Sequence, residues 1–95
     1  MRHTVAAPTP VLTITSRAAG ADGDLVVEQS LAALRETARR MELDIVGAPL
    51  RVDHGDPLVF ELCLMVRRLP DVDPPRPVAA EMLTPGTTVE SLGEA

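Results

Sequence analysis

The stretch GAPLRVDHGDPLVFELCLMV, residues 47–66, decides the fold. Leu50 to His54 alternates like a strand, with Leu50, Val52 and His54 on one face and Arg51 and Asp53 on the other. Gly55-Asp56-Pro57 supplies turn chemistry. Leu58 to Arg67 then reads as a second, longer strand. Its even face holds Leu58, Phe60, Leu62, Leu64 and Val66; its odd face holds Val59, Glu61, Cys63 and Met65. A half-buried strand has one polar face, whereas this one is apolar on both faces except at Glu61. Both faces therefore need cover, and Glu61 needs a reason.

Outward from the hairpin, VLTITS at residues 11–16 is β-branched and alternating, which predicts a strand. RAAGADG follows as a loop, Asp24 is placed to cap a helix, and LVVEQSLAALRETARRMEL carries a helical period. Val27, Leu31, Leu34, Ala38 and Met41 form one apolar stripe, and Glu36 stands four residues before Arg40 as a supporting ion pair. Such a stripe packs a core and carries no chemistry. Residues 1–10 read as an arm ended by Pro8 and Pro10. LPDVDPPRP, residues 69–77, has four prolines and reads as an extended connector. Residues 78–95 predict one more strand or a hairpin around Pro85-Gly86. TPVLTITS from Thr9 and TPGTTVES from Thr84 form a faint internal echo. The chain is thus one domain, 1–95, with its core in 11–67.

Ninety-five residues allow one small core. Phe60 is the only aromatic residue, so Leu, Val, Ala and Met must build that core. Net charge is −5 and all nine basic residues are arginines, with no basic run to neutralise phosphates, so no nucleic-acid partner is expected. No membrane partner is expected either, because no segment nears about 18 uninterrupted apolar residues. The opening MRHTVAAPTP lacks the apolar segment of a secretory signal, and a cytoplasmic location is expected. Cys63 is the single cysteine, which excludes an internal disulfide or a cysteine zinc site.

Two readings of Glu61 compete. If the turn occupies residues 55–57, His54 pairs with Leu58 and Arg51 falls opposite Glu61, so a cross-strand salt bridge satisfies the charge. Alternatively Glu61 is the polar anchor of an apolar pocket, the usual construction of a small-molecule site. His54 and Asp53 point to opposite strand faces and cannot form a dyad directly, and His54 at a turn reads as solvated. Cys63 shares the face of Glu61, but no histidine is spaced to activate it, so it reads as buried and inert. His3 and His54 have no metal-ligand spacing, and neither a metal nor a cofactor is expected.

GAPLRVD at 47–53 and FELCLMV at 60–66 resemble the two strand motifs of one half of a GyrI-like, bacterial effector-binding domain. The resemblance covers residues 11–67, and the tail from Val78 looks like the opening strand of a second unit. It implies a sheet with helices on one side and a ligand cleft on the other, with Glu61 at the position of the glutamate that holds cationic aromatic compounds in drug-sensing members. Some relatives are hydrolases of reactive natural products. Asp53 occupies the family tyrosine position and Met65 the proline position, so no aromatic cage for a cation can form.

The expected fold is α+β: an antiparallel sheet with one main amphipathic helix on one face, half of a GyrI-like fold completed by dimerisation. The expected function is non-catalytic binding of a drug-like or natural-product-like small molecule, with Glu61, Asp53, Arg51, Cys63, Met65 and Val59 lining the cleft. An enzyme of hydrolase or cyclase type using Glu61 or Asp53 as acid or base is the first alternative. A purely structural interaction module is the second. A homodimer is expected because one helix cannot cover both faces of the sheet, which would leave Val59, Cys63 and Met65 bare.

Overall fold

The computed structural model of the chain describes residues 2–17, 23–53, 55 and 59–92. The expectations for His54, Leu58 and most of the turn, Asp56-Pro57, lie outside the described residues, as does most of the RAAGADG loop. In chain order the elements are β1 (Arg2–Thr4), β2 (Thr9–Arg17), α1 (Gly23–Arg40), β3 (Leu50–Asp53), β4 (Val59–Met65), β5 (Ala79–Leu83) and β6 (Thr88–Ser91). The strands form one six-stranded sheet in the order β1-β6-β3-β4-β2-β5, every pairing antiparallel.

The helix lies across β2 and β4. Leu34 and Ala38 are fully buried there, with Val27, Leu31 and Met41 partly buried beside them. They meet Leu12 and Ile14 of β2 and Phe60, Leu62 and Leu64 of β4, so the amphipathic stripe and the even face of β4 make one core. A hydroxyl contact of 3.1 Å between Ser16 and Ser30 ties strand to helix at the edge of that core. Asp24 stands in the first turn of α1, where its charge meets the positive end of the helix dipole. The helix stops in a Schellman turn: Leu43 N–H donates to the Ala38 carbonyl at 2.9 Å and Glu42 N–H to that of Arg39 at 3.2 Å. Glu42 takes the left-handed conformation this turn needs, with φ 57.

The opposite face of the sheet has its own core, and the chain supplies the cover. Thr9 pairs with Leu83 in the β2–β5 ladder, and Thr4 pairs with Thr88 in the β1–β6 ladder. The offset is the same on both sides, so residues 2–13 and 79–90 are a single antiparallel ribbon with one bend. At the bend Val5 N–H donates to the Thr87 carbonyl at 2.9 Å and Gly86 N–H to that of Val5 at 2.8 Å. Thr84-Pro85-Gly86-Thr87 makes the corner, with Thr87 N–H on the Thr84 carbonyl at 3.2 Å and Gly86 at φ 90, as a Pro-Gly type II turn requires.

Beyond the bend the ribbon reaches β3, with Leu50 opposite Ser91 and Arg51 opposite Glu90. In a flat sheet β5 and β6 would be four strand spacings apart, roughly 19 Å at about 4.8 Å each. Instead Val5, Val11, Leu50, Val52, Cys63, Leu83 and Val89 form one buried cluster, with Met65 against it. The sheet is therefore curled, with this second core on its concave side. β1 and β5 remain as edges, so the curl does not close into a barrel.

Four expectations change accordingly. The arm expected over residues 1–10 is not found over the described residues 2–10, because β1 and the start of β2 are in the sheet. Strands β5 and β6 flank Pro85-Gly86 but do not pair with each other as a hairpin: β5 pairs with β2, and β6 pairs with β1 and β3. The odd face of β4 is not bare: Cys63 is fully buried under the chain's own ribbon, so a partner subunit is not needed to cover it. Strands β5 and β6 complete this sheet and do not stand apart as the opening of a second one.

The β3–β4 register also differs from expectation by one residue. Val52, not Arg51, stands opposite Glu61, and Arg51 stands opposite Leu62. A shift of one residue moves every side chain of a strand to the other face. Leu50 and Val52 consequently face the concave core, and the expected Arg51–Glu61 salt bridge does not form because the two side chains lie on opposite faces.

Candidate functional site

Two sites emerge where one was expected. On the concave face, cross-strand pairing sets Thr15, Glu61 and Val52 in one row and Thr13, Cys63 and Leu50 in the next. The ribbon bend and β6 cover the second row: Thr13 is 3% exposed and Cys63 0%. Past the first row the cover ends, since Thr15 and Arg17 are exposed and Val59 is half-buried. Ala79 and Glu81, exposed on the edge strand β5, stand instead in the rows of Cys63 and Met65. Glu61, at 7% exposure, sits where the dry core gives way to this open half of the same face. It is no stray charge: Glu61, Arg17 and Glu81 each engage in a polar or electrostatic interaction. Among the described residues no buried side-chain nitrogen or oxygen lacks a hydrogen-bond partner.

Cys63 lies beneath Glu61 and is sealed. Burial, reinforced by the negative charges of Glu61 and Glu81, pushes its thiol up to about 12. A thiolate nucleophile at neutral pH is thus excluded at this position. Met65 belongs to the closed end of the concave face, where it packs beside Gly47; a Cβ on Gly47 would come within 2.5 Å of its Cε. Of the expected cleft residues, Glu61, Val59, Cys63 and Met65 share the concave face, but only Glu61 and Val59 border its open half.

Arg51 and Asp53 are on the other face. The Arg51 guanidinium lies 4.4 Å from the centre of the Phe60 ring, and its Nε donates to Asp53 Oδ1 at 3.0 Å. Asp53 Oδ2 is 3.8 Å from Arg2 Nη2. With Thr88, Val89 and Glu90 these residues border a cleft of about 220 Å³. The helix reaches β2 and β4 only, which leaves this part of its own side of the sheet open. Glu61 and Asp53, the two acid–base candidates, therefore cannot act together on one substrate.

Sequence reading missed Thr13, Thr15 and Arg17 as neighbours of Glu61, although the alternation of VLTITSR already separates Leu12 and Ile14 from Thr13 and Thr15. It also missed Arg2 and Glu90, for which no local signal existed. Among the described residues no group of three or more His, Cys, Asp or Glu is arranged to hold a metal ion, and no helix is long and apolar enough to cross a membrane. Comparison with family models, curated proteins and solved structures finds no match to this chain.

Proposed function

We propose that the chain is a non-catalytic, cytoplasmic small-molecule-binding protein whose ligand lies on the open half of the concave face, anchored by Glu61. The observation that carries this reading is the position of Glu61, 7% exposed at the boundary between a dry apolar cluster and exposed polar rows of the same face. A ligand there meets apolar surface from Val59 and Val52, hydroxyls from Thr15, and one carboxylate held in a partly desolvated place. That set suits a molecule with an apolar body and a cationic or hydrogen-bond-donating group, because charge-assisted bonds strengthen as water is excluded. The likeness of residues 47–53 and 60–66 to GyrI-like strand motifs supports the same class of ligand. Against an enzyme stand the separation of Glu61 from Asp53 and the sealed, high-pKa thiol of Cys63.

The test is titration of a panel of apolar primary and quaternary amines against the protein and its Glu61→Gln variant. Removing a charge-assisted bond worth about 1.5–3 kcal/mol weakens binding roughly 10- to 100-fold while the isosteric side chain preserves the fold. If Glu61→Gln lowers the melting temperature while no amine binds either form, Glu61 is a structural residue and the reading fails.

A further inference from the structure

On the helix side of the sheet, Glu90 of β6 is flanked in register by two arginines, Arg2 across β1 and Arg51 across β3. Neither bonds to it. Both turn to Asp53, Arg51 through Nε at 3.0 Å and Arg2 through Nη2 at 3.8 Å. Glu90 is half-buried and forms no ion pair among the described residues. Arg51 is held on three counts: its strand pairs on both sides, its guanidinium stacks on Phe60, and Asp53 takes its Nε–H. Its terminal N–H groups make no bond among the described residues, so a preorganised guanidinium fork borders the cleft beside an unpaired carboxylate.

The charges decide the ligand class. Two arginines and two carboxylates line the cleft, so its net charge is zero and it attracts neither a simple anion nor a simple cation strongly. A molecule bearing both charges is complementary to both halves, with its carboxylate on the Arg51 fork and its ammonium on Glu90. Adjacent strands are about 4.8 Å apart, so the ligand's two charges must be close together. A volume of about 220 Å³ lies below the usual range of drug-sized pockets and suits a small molecule. We propose that the Arg2–Arg51–Asp53–Glu90 cleft is a binding site for short zwitterions of the amino-carboxylate class, separate from the Glu61 face.

The experiment is an NMR titration of the whole chain, following the Arg51 Nε–H and the Glu90 amide. The probes are β-alanine and γ-aminobutyrate, with propionate and propylammonium as single-charge controls. The site requires saturable shifts with the zwitterions in the millimolar range, and single-charge controls at least about tenfold weaker. Glu90→Gln and Arg51→Lys must each weaken the zwitterions by about tenfold, the latter because lysine keeps the charge but loses the fork. Glu61→Gln must leave these shifts unchanged. No saturable shift up to the solubility of the probes, controls that match the zwitterions, or an effect of Glu61→Gln equal to that of Glu90→Gln would each overturn the proposal. The amide spectrum of each variant separates loss of the site from loss of the fold.

Discussion

A single residue of register separates Arg51 from Glu61. Both were legible as unusual, since one acid interrupts an apolar strand and one arginine lies on the neighbouring strand. Their relation was not legible, because register depends on the loop between β3 and β4 and on which face of β3 the concave core accepts. Val52 fills a core position that Arg51 could occupy only at the cost of burying a charge. Gly47 is a second residue whose role is positional: it has φ 83 and lies against Met65. Gly47→Ala is expected to cost about 1–3 kcal/mol in urea unfolding, chiefly from the left-handed backbone, because the flexible Met65 tip can yield. The same cost should persist in a Met65→Ala background; its disappearance there would assign the effect to the clash instead. For Cys63 the sign follows from its raised pKa. The unfolded thiol ionises near 9.0 and the folded one at about 12, so stability is fully present below pH 9 and falls as pH rises toward 12. Cys63→Ala should flatten that alkaline slope in a series of thermal melts, and an unchanged slope would mean that another group is responsible.

Elements with their own periodicity were readable, and those made by pairing were not. The stripe from Val27 to Met41 gave α1, and β-branched alternation gave β2. By contrast β1 and β6 are three and four residues long, carry mixed polar sequence, and exist because the ribbon pairs them with each other and lays β6 beside β3. The end of α1 shows a local choice that can be improved. Glu42 holds the left-handed position of the Schellman turn, where glycine avoids steric cost, and its negative charge lies at the negative end of the helix dipole. Glu42→Gly is therefore expected to stabilise the chain by about 0.5–1 kcal/mol, offset in part by the entropy of an added glycine. A chemical denaturation midpoint that falls would show that the Glu42 side chain contributes more than its backbone strain costs.

At the scale of the whole molecule the bent ribbon does what was expected of a second subunit. It puts Leu83, Val89 and Val5 over Val11, Leu50 and Cys63, and it leaves the Thr15–Glu61 row at the open end. Deleting residues 78–95 removes β5 and β6 and strips that cover, so the truncated chain should bind a hydrophobic dye, and Cys63 should react readily with a disulfide reagent at neutral pH. A truncated chain that unfolds cooperatively and keeps Cys63 unreactive would place the cover elsewhere. The division of the candidate residues between two faces rests on the β3–β4 register, and interstrand nuclear Overhauser contacts report it most directly. This register requires contacts joining Val52 to Glu61 and Leu50 to Cys63. Contacts joining Arg51 to Glu61 would return both residues to one face and contradict it.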